Sequence, residues 1–271
     1  MAISIDPERI REYQTQGYTL LPGALPPEML QRLREECAYF VGYTDARMQA
    51  KGVETEFITH RGKRYFISGQ YRKSRYLPEF LFGDLMASVA RAFAGDEAYL
   101  FVEQWVVKGA EEGMKFAWHQ DAGYVVSLDP KNDPPPYITC WIALDDMSDA
   151  NGTISVLPHE RVGTAGRVLP HTREPGSNDM IGYTGDDPGE PIECPAGSIA
   201  VFSSTTLHRS SANTSNALRR AYLAQYSVAP VYASSGQQWA FAMPFLRGGE
   251  NVYDPANDKG AEGALLFSRD S

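Results

Sequence analysis

Cysteine is scarce in this chain, apolar runs of membrane length are absent, and positive charge is in deficit. Each shortage excludes something. The three cysteines, Cys37, Cys140 and Cys194, are too few and too scattered for a disulfide framework or a Cys-x-x-Cys metal site. Buried, reduced thiols in a cytoplasm are the expectation. No stretch approaches the roughly 20 apolar residues of a membrane span, and the start, Met1-Ala2-Ile3-Ser4-Ile5-Asp6, has no basic region followed by an apolar run. A soluble, unexported protein is expected, with no membrane partner. Lys and Arg total 25 against 34 acidic residues, a net charge of −9, so the bulk field repels nucleic acid. Histidine numbers only five, which limits the residues able to build a metal or acid–base site.

What is present suits one sizeable core: 271 residues, 43% of them hydrophobic, predict a single domain over residues 1–271. Asp6-Pro7-Glu8 reads as a helix start and Gly17 as its stop. A short strand, Tyr18 to Leu21, follows. A second helix opens at Pro26-Pro27-Glu28 and places Leu30, Leu33, Cys37 and Phe40 on one face. A third is expected from Phe80 to Ala94. From Tyr99 the period changes to two, with Leu100, Val102, Gln104, Val106 and Lys108 on one strand face and Glu103, Trp105 and Val107 on the other. Further strands are expected at Tyr137 to Leu144, Thr153 to Leu157, Ser198 to Ser203 and Leu218 to Val228, with Asn151-Gly152 as a hairpin signal between the first two. Residues 160–190, rich in Gly, Pro, Asp and Asn, read as a long excursion. Many short strands after a helical lead predict a mainly β jelly roll with helices packed on it.

The chemistry concentrates in Phe116-Ala117-Trp118-His119-Gln120-Asp121. On a strand, residues two apart share a face, so His119 and Asp121 point together and Gln120 opposite. Such a pair supplies two ligands of the 2-His-1-carboxylate triad, which leaves positions open on a non-haem Fe(II). His208, in Thr206-Leu207-His208-Arg209-Ser210, is taken as the third. His60, His159 and His171 read as solvent or loop histidines. Trp118, Trp141 and Tyr124 read either as core aromatics or as pocket walls.

Short pieces in order carry a resemblance: Gln16-Gly17-Tyr18, Leu21-Pro22-Gly23, Gln104, Lys108, Trp118-His119-Gln120-Asp121, Trp141-Ile142-Ala143-Leu144-Asp145, Asn151-Gly152-Thr153, Val156-Leu157-Pro158, Pro195-Ala196-Gly197-Ser198, and His208 through Arg219. Over most of residues 8–230 the chain resembles the phytanoyl-CoA dioxygenase family of Fe(II)/2-oxoglutarate oxygenases. The resemblance implies a double-stranded β-helix. It also implies iron on His119, Asp121 and His208, the distal carboxylate of 2-oxoglutarate on Arg219, and cofactor contacts from Ser210, Thr139 and Gln104. O₂ is the co-substrate, succinate and CO₂ are the coproducts, and a C–H bond of a small molecule is oxidised. Arginine suits the far carboxylate because its planar fork donates two charge-assisted hydrogen bonds. Arg219 and Arg220 face opposite ways on a strand, and the family's spacing selects Arg219. After Pro158, His159-Glu160-Arg161 stands where the family more commonly has Gly-Ser-His.

Three other readings compete. A halogenase puts halide in the carboxylate's place, which Asp121 argues against. A cupin-like isomerase or Zn²⁺ hydrolase has no need of Arg219 in this register. A catalytically silent jelly-roll binding protein would form no succinate. Substrate identity and oligomeric state do not follow from these residues. One further feature is Arg61, Lys63, Arg64, Arg72, Lys73 and Arg75, a basic stretch with no acid among them. It reads either as a solvated loop or as an entrance for an anionic substrate.

Overall fold

The computed structural model describes residues 2–111 and 113–259. At the start, an Asp6 carboxylate oxygen accepts from the Glu8 N–H at 2.9 Å and Gly17, at φ 84°, ends the helix Pro7–Gln16, as the cap residues predict. The chain then enters the edge of a large sheet. Its strands run in the spatial order Tyr18–Leu21, Ile199–Ser203, Tyr137–Ala143, Arg219–Ser227, Ala98–Lys108 and Arg64–Ser68, followed by the two-residue strands Thr59–His60 and Thr55–Glu56. A smaller sheet is built from Glu190–Pro191, Ile154–Leu157, Leu207–Ser210 and Phe116–His119.

Alternation along these strands sorts the side chains into two layers. Val106, Trp141, Phe202 and Leu223 of the large sheet join Ile154 and Val156 of the small one in one apolar cluster, so the two inner faces pack on each other. Trp105, Val107, Ile142 and Tyr222 point the other way. There they meet Leu33, Cys37 and Phe40 of the helix Pro27–Lys51 and Leu85 and Val89 of the helix Asp84–Phe93. Helices therefore cover the outer face of a jelly roll, the architecture expected.

Four details differ from the sequence expectation. The third helix is two, Leu77–Leu81 and Asp84–Phe93. A Cβ on Gly83 would lie 2.4 Å from the Glu79 carbonyl oxygen, so the chain breaks where only glycine fits. Asn151-Gly152 makes no hairpin: Asp149–Asn151 is a 3-10 turn capped by Ser148 and closed by Gly152 at φ 71°, and it carries the chain from the large sheet to the small one. The face assignment of the Ala98–Lys108 strand holds only from Val102 onward. Gln225 pairs with Val102 but Tyr226 with Leu100, and this bulge turns Leu100 to the helix-covered face beside Trp105. Finally, residues 42–79 are more ordered than their composition suggests, with the second helix reaching Lys51 and Arg64–Ser68 joining the large sheet.

Arg64 explains much of that order. It is fully buried, donates to both Asp179 carboxylate oxygens at 2.7 and 3.1 Å, and donates to the Ile58 and Lys115 carbonyls. Asp179 also accepts from the Ala117 N–H at 3.1 Å, so the pair ties the 160–190 excursion to the strand that carries His119. Removing one partner of a buried pair costs about 3–5 kcal/mol. Asp179→Ala should lose that much in urea unfolding, whereas a loss within experimental error would remove the pair from this role.

Candidate metal centre

His119 and His208 are directly opposed partners on neighbouring strands of the small sheet, with ring centroids 4.1 Å apart. Nδ1 of His119 lies 2.9 Å from the Ala117 carbonyl oxygen and Nδ1 of His208 lies 3.1 Å from that of Thr206. A carbonyl only accepts, so each Nδ1 carries the hydrogen and each Nε2 keeps its lone pair for a metal. Asp121 Oδ1 is 3.6 Å from both Nε2 atoms. One ligand atom from each of the three residues falls within 4.8 Å of the others.

Asp121 reaches this position by a different route from the one the strand argument gives. The strand ends at His119, Gln120 is extended at φ −110° and ψ 140°, and Asp121 is the first residue of the helix Asp121–Leu128. One further extended residue preserves the alternation, so His119 and Asp121 still face one way, and the helix start favours the carboxylate's charge. Gln120 points away, as expected. Its amide donates to the Arg167 and Thr205 carbonyls at 2.8 and 2.6 Å and accepts from the Leu169 N–H at 2.6 Å.

The second carboxylate oxygen of Asp121 accepts from Thr139 Oγ1 at 2.5 Å and Gln225 Nε2 at 2.9 Å. Thr139, a cofactor-contact candidate by resemblance, therefore has its hydroxyl directed at Asp121. Sequence reasoning did not single out Gln225, although its period-two relation to Arg219, Ala221 and Leu223 places it on the inner face. Outer partners of this kind typically govern 10- to 100-fold of metal affinity, about the loss expected for Thr139→Val combined with Gln225→Leu in an anaerobic Fe(II) titration. Unchanged affinity would mean that the carboxylate needs neither. Burial pushes the Asp121 carboxyl up, but His208, His119 and the Thr139 bond outweigh it and hold it at about 2. Burial, with His119 alongside, pulls His208 down to about 4. At neutral pH the carboxylate is ionised and that imidazole neutral, the states that ligation requires.

A cavity extends from these residues to Arg219. Arg219 is fully buried. It donates to the Gly152 carbonyl at 3.1 Å and the Val106 carbonyl at 3.4 Å, its guanidinium carbon lies 5.7 Å from the Trp141 ring centroid, and its Nε has no hydrogen-bond partner among the described residues. Burial pulls it down only to about 10, so it enters the cavity charged and, among the described residues, without a carboxylate. Its neighbours do not compete. Lys108, in register with it, is brought to about 5 by burial, Arg219 and Arg64 and bonds the Ser211 carbonyl, while Arg64 is paired with Asp179. Arg220 points the opposite way and binds Asp145.

Ser210 and Gln104 line the cavity, Gln104 donating to Ser68 Oγ at 2.7 Å. Tyr124 and Trp141 line it too, whereas Trp118 packs with Leu157 and Leu207. The remaining histidines are structural. His60 bonds Thr55 and Ser177, and His171, which the sequence placed in a loop, packs its ring against Gly123 and Gly182 and accepts from the Gln120 N–H at 3.0 Å. His159, read as a solvent or loop histidine, is buried between Thr164 and Ser203, close against Gly17. Of the basic stretch, Arg61 pairs with Asp45 and Glu54, Arg64 with Asp179 and Arg72 with Asp258, and no residue from Arg61 to Arg75 other than Phe66 lines the cavity.

A jelly roll holding two histidines and an aspartate around one point, with a buried arginine beyond, defines a non-haem iron oxygenase. The family model for phytanoyl-CoA dioxygenase matches residues 13–221. The chain belongs to that family and is an Fe(II)/2-oxoglutarate-dependent dioxygenase. It is 27% identical over 230 residues to a 2-aminoethylphosphonate dioxygenase of uncultured bacterium HF130_AEPn_1, covering 81% of this chain and 80% of that protein. It is 26% identical over 159 residues to an L-proline trans-4-hydroxylase of Streptomyces griseoviridis, covering 52% and 59%. Among solved structures, EvdO2 from Micromonospora carbonacea var. aurantiaca complexed with 2-oxoglutarate superposes with a TM-score of 0.63 at 22% identity, covering 88% of this chain and 96% of that one. The α-ketoglutarate-dependent carbocyclase SnoK from nogalamycin biosynthesis gives 0.63 at 19%, covering 85% and 87%. No helix among the described residues is long and apolar enough to cross a membrane.

Proposed function

We propose that His119, Asp121 and His208 hold the Fe(II), that Arg219 receives the distal carboxylate of 2-oxoglutarate, and that the enzyme oxidises a C–H bond of a small molecule. The observation that carries this reading is the buried, carboxylate-free Arg219 in the same cavity as the three converging ligand atoms. When bound, the iron would activate O₂ as the oxidant, with 2-oxoglutarate giving up two electrons as it becomes succinate and CO₂. The chain's own residues do the rest. The backbone carbonyls of Ala117 and Thr206 fix both imidazoles, and Thr139 and Gln225 orient Asp121. Arg219 offers a charge-assisted fork to the cofactor's far end, and Ser210 and Gln104 line the same cavity. Apolar walls keep water from the reacting centre. The buried, unpaired Cys37, Cys140 and Cys194 support a reducing, cytoplasmic setting.

Anaerobic protein with Fe(II) tests the reading. Adding 2-oxoglutarate should give a weak visible metal-to-ligand charge-transfer band, and admitting O₂ should release succinate. Absence of both would leave a silent binding protein.

A further inference from the structure

We propose that the substrate taken beside the iron is an uncharged, predominantly apolar molecule, and that the hairpin tip Phe57-Ile58 is the wall that selects it. The inference rests on the site reading above and deepens it.

Phe57, Ile58, Phe66, Phe116 and Tyr124 form one apolar cluster in the cavity lining, with the Phe116 and Tyr124 ring centroids 4.5 and 5.5 Å from that of His119. The charged residues lining the cavity, among those described, are the three ligands, Arg219 and Arg209. Arg219 is committed to the cofactor. Arg209 is turned elsewhere: its guanidinium lies 5.0 Å from the Trp118 ring centroid and donates to the Pro188 carbonyl at 3.1 Å. Arg173 lies 6.0 Å from the Phe57 ring centroid but is exposed and does not line the cavity. The basic stretch that invites an anionic substrate has its Arg61, Arg64 and Arg72 in ion pairs with acids outside the cavity. Among the described residues, a carboxylate or phosphate entering here would lose its water and meet no cation beyond Arg219 and the turned-away Arg209.

The hairpin tip gives this wall its independence from general packing. Thr55–Glu56 and Thr59–His60 pair across the two-residue loop Phe57-Ile58. Phe57 stands at φ 52°, a left-handed conformation that hairpins normally assign to Asn or Gly. Two anchors hold it there. Asn178 donates to the Phe57 carbonyl at 2.8 Å, and the buried Arg64 donates to the Ile58 carbonyl at 3.1 Å. A bulky aromatic kept in a turn that disfavours it, with its ring at a cavity wall, is retained for what that ring touches.

Calorimetry on the anaerobic Fe(II)- and 2-oxoglutarate-loaded protein tests both parts, with two matched pairs as probes: 4-phenylbutanamide against 4-phenylbutanoate, and decanamide against decanoate. The amide should bind roughly tenfold or more tightly than its carboxylate in at least one pair, because only the carboxylate is desolvated without a partner. Phe57→Gly relieves the turn, so its Tm should stay level or rise. It should nevertheless weaken the amide by roughly fivefold or more through lost contact area and leave 2-oxoglutarate affinity unchanged, with Phe57→Leu between the two. A result in which neither amide binds more tightly than its carboxylate, no amide binding at all, or wild-type amide affinity in Phe57→Gly would each overturn the inference. A protein that takes 2-oxoglutarate normally yet prefers carboxylates fails this inference alone; one that takes neither iron nor 2-oxoglutarate removes the site reading with it.

Discussion

His208→Ala should bind no stoichiometric Fe(II), show no charge-transfer band with 2-oxoglutarate and form no succinate above background. The expected loss exceeds the 10- to 100-fold that removing an outer partner typically costs, because a ligand atom itself is gone. Its Nε2 is 3.6 Å from Asp121 Oδ1, so the variant leaves one imidazole and one carboxylate where three donors converge. His119→Ala should behave alike, since the two residues are cross-strand equivalents held by the same bond to a carbonyl two residues back. Comparing the far-ultraviolet circular dichroism of the variants with the wild type separates ligand loss from misfolding. Retention of full iron affinity and turnover in both variants would mean that the triad is misassigned.

Arg219→Ala should raise the 2-oxoglutarate requirement far more than Arg220→Ala. Truncating one partner of a buried charge pair costs about 3–5 kcal/mol, which corresponds to more than two orders of magnitude in affinity. Arg220 already bonds Asp145 at 2.5 Å on the other face, so its loss should register in stability and little in cofactor binding. The two properties should also separate at Arg219 itself. With no carboxylate partner among the described residues, its buried charge burdens the apoprotein, and Arg219→Met should unfold no earlier than wild type while losing the rise in Tm that 2-oxoglutarate gives. Arg219→Lys should recover only part of the affinity, lacking the planar fork. Equal effects at Arg219 and Arg220 would overturn the assignment of faces.

How much of this was legible without coordinates depends on how local the physics is. The cap at Asp6 and the stop at Gly17, the strand faces from Val102 to Lys108, and the opposition of Arg219 to Arg220 all follow from neighbours in the chain. Backbone geometry dictates them, and the structure has them as the sequence predicts. Strand alternation predicts one side for His119 and Asp121, and they share it because the extended Gln120 carries the alternation one residue past the strand's end. Distant contacts were closed to such reading. Arg64 reads in sequence as one of six cations of a solvated loop or an anion entrance, and only the fold brings Asp179 to bury it. Gln225 meets Asp121 because the sheet aligns it opposite Thr139. His159 and His171 pack against glycines distant in the chain, contacts that no local pattern foretells. The Phe57-Ile58 turn runs against local preference altogether, and anchors from Asn178 and Arg64 impose it. By itself, then, the sequence determined which residues could act and which way each strand would turn them, because period and capping are short-range. Which charges remain unpaired, and so which ligand each part of the cavity accepts, was decided by tertiary structure, because pairing depends on what long-range packing brings within a few ångströms.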